Sequence, residues 1–331
     1  MSSTPDAAAC DGTCDTDHDR VREGVLESVD ESVDKSADYG TREREREYSP
    51  SSCIGGNYQP FIDAYRSRSL CARADCVDLG ARWLTLRYGS ATAQQIELCL
   101  PPPRPLGDAQ KTALLVFIHG GYWQELSAQD SLFAATGCIA AGHAFAAIDY
   151  TLAPVVTVAQ IVDECRRAVA CLAAQADPLG IDAQRIVLAG SSAGAHLAAM
   201  VALREWSDWP DSSAARPRPC AIRAAVLVSG IYALAPLIGT SINTALGLDL
   251  ASARASSPSL LPLHDFPRTV VCWGEVETNA FKQQSRAFAE LLGDTQCTSF
   301  EVAARNHFDV ILDLTDASTQ LGRATLDLLQ T

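Results

Sequence analysis

The stretch RIVLAGSSAGAHLAAM, residues 185–200, joins two apolar runs through a turn of small residues. The first run, 185–190, predicts a buried strand, and 192–205 predicts a helix. Between them GSSAG fits the pattern G-x-S-x-G in one register only, with Ser192 at its centre. A serine on such a sharp strand-to-helix turn has strained dihedrals and needs small neighbours, which the flanking glycines supply. The stretch therefore predicts Ser192 as a nucleophile and Ser191 as its structural neighbour.

A second glycine-rich turn follows an earlier apolar strand. It begins with His119, Gly120 and Gly121, in the stretch HGGYW. Glycines let the backbone turn sharply and bring N–H groups close to a substrate oxygen. The N–H of Ala193, at the start of the helix that follows the nucleophile, is expected to point toward the same oxygen. Gly120, Gly121 and Ala193 are therefore the predicted oxyanion hole.

Short apolar runs alternate with helical patterns from about residue 50 onward, which predicts an α/β fold with a mostly parallel central sheet covered by helices on both faces. Alternating segments at 82–89 and 94–101 predict an antiparallel edge at the N-terminal side of that sheet. The stretch 232–266 breaks the pattern and predicts a small helical excursion over the active site. The other predicted strands are 113–119, 143–150, 185–190, 224–230, 268–274 and 297–303, and the predicted helices are 130–143, 159–176, 192–205, 279–293 and 318–330.

The beginning of the chain differs in composition from the rest. Residues 1–50 hold 14 acidic and six basic side chains, more than half of the net charge of −14. We expect residues 1–45 to form an acidic disordered tail and 46–331 to form one domain. Cys10, Cys14 and His18 have the spacing of metal ligands but lack a fourth ligand, so no metal site is predicted there.

Composition also argues against several classes of protein. No basic stripe that would bind nucleic acid is visible, and the longest apolar run, 113–118, is too short to cross a membrane. The N-terminus has no apolar signal-peptide core, and cysteines such as Cys165 and Cys272 lie in apolar patterns typical of reduced, buried thiols. We expect a cytoplasmic protein that acts on a small-molecule substrate without a metal or other cofactor, and whose assembly is compatible with a homodimer.

Three histidines follow the nucleophile, and one of them is the predicted base. His196 lies on the helix of the nucleophile and points away from the turn, which favours a packed core position. A second lies in a proline-rich loop before the last strands. His307 follows the last predicted strand at a loop-to-helix junction, where the base is expected. Glu275 and Glu277, after the preceding strand, remain alternatives for the acid, with Asp309 less favoured.

Seven stretches of the chain resemble stretches of one known protein family and follow each other in the same order. They resemble the α/β-hydrolase arylformamidases (kynurenine formamidases) and, more loosely, the hormone-sensitive-lipase-type esterases. The resemblance spans residues 45 to 330, so the first 45 residues are outside it. The stretches are YSPSSCIGGNYQPFIDAY (48–65), IHGGYWQ (118–124), IDYTLAP (148–154), GSSAGAHLAA (190–199), VSGIYALAPLIGTSIN (228–243), WGEVETNAFKQQS (273–285) and NHFDVI (306–311).

The resemblance implies roles for particular residues. It assigns the role of nucleophile to Ser192 and the role of base to His307. It assigns the oxyanion hole to an H-G-G-x-W motif, which here runs from His119 to Trp123. The acid of the family is usually an aspartate three residues after the glycine that ends its strand, and this chain has Glu277 there. Tyr122 and Trp123 are candidates for an aryl pocket, and packing beneath the loop is an equal alternative for Trp123.

The resemblance implies hydrolysis of an aryl formamide, N-formyl-L-kynurenine, to kynurenine and formate through an acyl-enzyme on Ser192. A carboxylesterase that acts on small acyl esters is the alternative, because the same triad serves both reactions. A non-catalytic ligand-binding protein is disfavoured because no member of the triad is missing. A metal-dependent amidase is disfavoured because the histidines form neither H-x-x-x-H nor H-x-H.

Overall fold

One sheet runs through the part of the chain that the computed structural model describes, residues 40–103, 111–203 and 222–330. Its strands are β1 (Arg82–Arg87), β2 (Gln95–Leu100), β3 (Thr112–Ile118), β4 (Ala144–Ile148), β5 (Ile181–Ser191), β6 (Ile222–Val228), β7 (Arg268–Val276) and β8 (Cys297–Asn306). Their order is β1-β2-β4-β3-β5-β6-β7-β8. The β1–β2 and β2–β4 pairs are antiparallel, and the others are parallel. The predicted α/β fold with an antiparallel N-terminal edge is therefore confirmed.

Strand β3 shows why the central strands are apolar throughout. All seven of its residues are buried. Leu114 and Val116 belong to the core on one face of the sheet, and Leu115 and Phe117 belong to the core on the other. A strand covered on both faces has no position left for a polar side chain, so its sequence reads as a continuous apolar run.

Helices cover both faces of this sheet. The helix over Val158–Ala174 begins after Thr157, whose hydroxyl accepts from the N–H of Gln160 in a capping box. The stretch 232–266 contains two short helices and two 3₁₀ turns. The helices are α1 (Thr41–Glu47), α2 (Gln59–Asp78), α3 (Ala135–Ala140), α4 (Val158–Ala174), α5 (Ala193–Ala202), α6 (Asn243–Leu246), α7 (Leu250–Ala255), α8 (Asn279–Leu292) and α9 (Gln320–Gln330).

Helix α2 was absent from the sequence expectations. Its inward stripe has helical spacing but includes a serine, Ser69, and two apolar side chains, Leu70 and Val77, lie on its exposed side. A polar residue in the buried stripe and apolar residues on the exposed side weaken the 3.6-residue periodicity by which an amphipathic helix is recognised. The predicted helix 130–143 is also shorter in the structure, because the N–H of Leu132 donates to Ser69 Oγ of α2 at 2.9 Å rather than to a helix carbonyl.

The ordered domain begins earlier than predicted. Residues 1–39, including Cys10, Cys14 and His18, lie outside the described residues. Residues 41–45, expected in the disordered tail, are part of α1. The Glu45 carboxylate accepts from the N–H of Ser241 at 2.8 Å, and the Thr278 hydroxyl donates to the Glu47 carbonyl at 2.6 Å. Partners so distant in the sequence explain why the charged run REREREY did not reveal this helix.

The described cysteines are all free, and Cys165 and Cys272 are buried in the core as predicted. None of the described helices combines the length and the apolar composition needed to span a membrane.

Gly322, near the start of α9, tests the packing of the fold. A Cβ at this position would lie 1.9 Å from the Asp316 carbonyl oxygen. Gly322→Ala is expected to lower the free energy of unfolding by about 1–3 kcal/mol through overpacking, measured by urea denaturation. Gly40→Ala, where no atom lies within 4 Å, is the matched control and should change stability little. Equal stability of the two variants would contradict this packing.

Candidate active site

The turn between β5 and α5 holds Ser192 in a strained backbone conformation. Its φ is 58° and its ψ is −122°, outside the regions that side-chain-bearing residues ordinarily occupy. A Cβ on Gly190 would lie 2.2 Å from the Gly194 carbonyl oxygen, and a Cβ on Gly194 would lie 2.0 Å from the Ile118 carbonyl oxygen. Both neighbours are backbone atoms, so only glycine fits on either side of the serine.

The glycine-rich loop after β3 packs directly against this turn. A Cβ on Gly120 would lie 2.7 Å from the Ser191 carbonyl oxygen. The next three residues, Gly121, Tyr122 and Trp123, all have positive φ, at 87°, 51° and 60°. Positive φ costs roughly 1–2 kcal/mol for each residue that carries a side chain, so the surrounding packing must hold this loop in place.

Two backbone N–H groups of these turns are available to a ligand. Within residues 40–103, 111–203 and 222–330, neither Gly121 nor Ala193 donates its N–H to an acceptor. Gly121 lines the cavity that also contains Ser192 in its lining, and Ala193 directly follows Ser192 at the start of α5. Such donors are what a developing oxyanion requires.

His119 supports the loop from the core. Its ring stacks on Tyr150 at a centroid distance of 4.2 Å, and the Tyr150 hydroxyl donates to the His119 carbonyl oxygen at 2.9 Å. Its Nδ1 lies 3.0 Å from the Gly120 carbonyl oxygen. His119, the histidine of the HGGYW stretch, therefore stabilises the loop.

A buried glutamate orients the ring of His307. Glu277 Oε2 lies 3.0 Å from His307 Nδ1, and both side chains are buried. With Nδ1–H donating to this carboxylate, Nε2 carries the lone pair and can accept a proton. The edge-on ring of Phe281, 4.4 Å away, limits movement of the imidazole.

The same carboxylate is anchored at its other oxygen. Glu277 Oε1 accepts from the Ser229 hydroxyl at 2.6 Å and from the Gly274 N–H at 2.5 Å. The sequence analysis missed Ser229, which is fully buried with a φ of 51° directly after β6. Its position at the carboxyl end of a central strand is the one signal that could have marked it.

The structure separates the two candidate acids. Glu275 is exposed, and its carboxylate accepts from the Ala304 N–H at 2.7 Å. Glu277, not Glu275, contacts His307. Asp309 is also turned elsewhere and accepts from the Asn306 N–H.

A cavity of about 230 Å³ contains both Ser192 and His307 in its lining. Tyr122 lines this cavity, whereas Trp123 is fully buried with its ring edge-on to His196 at 5.1 Å. Packing beneath the loop is thus the observed role of Trp123. The wall is rich in aromatic side chains, from Tyr48, Tyr58, Tyr65, Phe117, Tyr122, Phe133 and Phe308.

The N-terminal segment supplies one wall of the cavity, which the sequence analysis did not foresee. Glu45, Tyr48, 49–51 and Tyr58 all line it. The Tyr122 hydroxyl donates to the Tyr48 carbonyl oxygen and so ties this segment to the glycine-rich loop. The resemblance over 48–65 was the available signal.

His196 is a core residue, as expected. Its Nε2 lies 2.7 Å from the Ser256 carbonyl oxygen, to which it donates, and the ring is completely buried. Burial lowers the pKa of His196 to about 4, so the ring is neutral near pH 7. It takes no part in the pair formed by Glu277 and His307.

The chain is similar in sequence and in fold to several known proteins. The BD-FAE family matches residues 103–259. Kynurenine formamidase of Salmo salar is 29% identical over 300 residues, covering 87% of this chain and 96% of that protein, and the Danio rerio enzyme is similar to the same degree. A crystal structure titled as a putative thioesterase from Silicibacter sp. superposes with a TM-score of 0.71 at 28% identity, covering 87% of this chain and 99% of that one. Mouse hormone-sensitive lipase is 35% identical over 103 residues, covering 31% of this chain and 14% of that protein.

The fold and these similarities define a hydrolase of the α/β-hydrolase type. Within that class the chain is a homologue of the kynurenine formamidases, so the predicted resemblance is confirmed.

The two glutamates provide a matched test of the acid. Glu277→Gln is expected to lower kcat/KM for a p-nitrophenyl ester on the order of 10²–10⁴-fold, because the amide neither holds the correct imidazole tautomer nor balances the imidazolium charge. Glu275→Gln keeps its contact with the Ala304 N–H and should stay within a few-fold of the parent. The assignment fails if the two variants lose activity equally.

The buried His196 should make stability depend on pH. Its pKa is lower in the folded chain than the ordinary value near 6.5, so the unfolded state takes up the proton first as pH falls. This difference in pKa contributes about 3 kcal/mol to the free energy of unfolding above about pH 6.5. The contribution is lost as the pH falls toward about 4.

Urea denaturation at about pH 7.5 and about pH 4.5 measures this loss. His196→Gln should show a smaller loss between the two pH values than the parent, whereas His264→Gln, on an exposed loop, should match it. The same loss in both variants would show that other groups cause the pH dependence.

Proposed function

We propose that this chain is a serine hydrolase that cleaves aryl formamides, with N-formyl-L-kynurenine as substrate and kynurenine and formate as products. The contact that carries the proposal is the 3.0 Å bond between Glu277 and His307. It leaves Nε2 of the oriented imidazole free to accept a proton, and His307 lines the same cavity as Ser192. The names of the homologues from Salmo salar and Danio rerio support the same substrate.

The first half of the reaction forms the acyl-enzyme. His307 Nε2 takes the hydroxyl proton of Ser192 as its oxygen attacks the formyl carbonyl carbon. The carbonyl oxygen becomes an oxyanion, which accepts hydrogen bonds from the N–H groups of Gly121 and Ala193. Gly120 allows the loop to approach closely enough, and Glu277 stabilises the imidazolium.

The second half releases both products. The imidazolium of His307 donates its proton to the leaving arylamine nitrogen as the C–N bond breaks, which leaves a formyl ester on Ser192. Water then attacks this ester, with His307 again accepting a proton, and formate departs as the serine hydroxyl is restored. No step needs a metal or an organic cofactor.

The aromatic side chains of the cavity wall favour the binding of an aryl substrate over that of a purely aliphatic one. Phenylalanine and tyrosine rings pack well against another ring in offset or edge-on geometry, with about 0.5–1.5 kcal/mol for each pair. A carboxylesterase acting on small esters is the second candidate, favoured by the esterase from Thermogutta terrifontis, which shares the fold at a TM-score of 0.58 and 21% identity.

The setting of the enzyme is part of this proposal. Free thiols at every described cysteine support a reducing, cytoplasmic location. The homodimer stays a prediction, and a role in tryptophan breakdown follows only if formylkynurenine is the substrate.

Ser192→Ala tests the nucleophile and the substrate together. The parent should hydrolyse formylkynurenine well above background and form a covalent adduct with a fluorophosphonate probe on Ser192. The variant should lose about 10⁴-fold or more in kcat and form no adduct. Ser191→Ala should stay within about tenfold of the parent, because the Ser191 hydroxyl has no role in the proposed steps.

Two outcomes would contradict the proposal. Background turnover of formylkynurenine alongside rapid turnover of p-nitrophenyl acetate would favour the carboxylesterase. Absence of an adduct in the parent would favour a ligand-binding protein.

A further inference from the structure

A carboxylate in the wall of the cavity has no cationic partner among the described residues. Glu125, at the end of the glycine-rich loop, is exposed and lines the cavity. Its one recorded neighbour is the Tyr58 hydroxyl, 3.4 Å from each of its oxygens. A contact this long leaves most of the accepting capacity of the carboxylate unused.

The other carboxylate of the lining is already engaged. Glu45 accepts from both the N–H and the hydroxyl of Ser241. Within the described part of the chain, no lysine or arginine lines the cavity. Among the described lining residues, Glu125 is therefore the carboxylate that lacks a short hydrogen bond, and no positive side chain faces a substrate.

The reaction fixes which part of a substrate lies near this charge. His307 protonates the leaving amine, so the aryl leaving group lies on the His307 side of the cavity. Phe308 follows His307 and stacks on Tyr58 at a centroid distance of 5.6 Å and an angle of 7°. Tyr58 in turn reaches Glu125, so an aromatic wall leads from the base to the carboxylate.

We propose that Glu125 is a specificity-determining residue that binds the ammonium group of the leaving arylamine. The inference rests on the proposed function and names the part of the substrate that is selected. The preferred substrates are aryl formamides with a positively charged side chain. The face of Tyr58 adds cation–π attraction for the same group. A substrate carboxylate finds no positive partner and stays in water.

Three formamides separate these contributions. They are formylkynurenine, its decarboxylated analogue, which keeps only the ammonium, and its deaminated analogue, which keeps only the carboxylate. We expect the decarboxylated analogue to match formylkynurenine within a few-fold in kcat/KM. For the deaminated analogue kcat/KM should be about tenfold lower, because the Glu125 carboxylate repels the negative charge of this analogue. The effect is modest because Glu125 is exposed.

Variants at Glu125 test the assignment. Glu125→Gln should lower the ratio of kcat/KM for the decarboxylated over the deaminated analogue by about fivefold to tenfold, and Glu125→Lys should invert it. Glu43→Gln, on the exposed surface of α1, removes the same charge away from the cavity and should keep the ratio of the parent. Thermal unfolding followed by circular dichroism establishes that each variant is folded.

Salt supplies a readout that a structural role would not move. In the parent, the ratio of kcat/KM for the decarboxylated over the deaminated analogue should fall as the salt concentration rises from about 0.05 M to about 0.5 M. Interactions between exposed charges are screened over this range. In Glu125→Gln the ratio should change little with salt. A ratio that is unchanged by both Glu125 variants, or a parent that prefers the deaminated analogue, would overturn the inference.

The failure of the proposed function would look different. A parent that hydrolyses none of the three formamides would overturn both proposals. Hydrolysis of all three, with an unchanged ratio in the variants, would overturn only the role of Glu125.

Discussion

Backbone touches backbone where the loop after β3 meets the turn after β5, and the rest of the site depends on that contact. Gly120, Gly190 and Gly194 each leave no room for a Cβ against a neighbouring main chain. Their closeness brings the strained serine and the N–H groups of two separate segments into one small region. No residue with a side chain fits at these positions without displacing the backbone, because its Cβ would lie 2.0–2.7 Å from a main-chain oxygen.

In the proposed triad a glutamate, Glu277, takes the position at which the resemblance leads one to expect an aspartate. An additional methylene gives the side chain another rotatable bond, and ordering it costs conformational entropy. Ser229 and the Gly274 N–H offset that cost by fixing Oε1, so that Oε2 is left to meet His307. Removing the carboxylate from water is also tolerable because both oxygens have donors.

Local patterns predicted most of the fold and part of the candidate site. The continuous apolar runs marked the parallel strands, and the small residues around Ser192 marked the sharp turn, because both signals lie within a few neighbouring residues. Glu277 and Glu275 could not be distinguished by spacing, since the contact of Glu277 with Ser229, directly after β6, joins residues 48 positions apart. The wall from Glu45 to Tyr58 was not predicted for the same reason, since its partners, such as Ser241 for Glu45 and Tyr122 for Tyr48, are distant in the sequence.

The docking of α1 has a consequence for the order in which a newly made chain acquires its pocket. Glu45 and Glu47 are synthesised early, yet they bind Ser241, Thr278 and the N–H of Ala280, which leave the ribosome much later. Closing loops of this length costs entropy and follows local folding. The cavity wall therefore cannot be completed until residues 241–280 have been synthesised, and a nascent chain that already contains the turn at Ser192 would still have an open cavity.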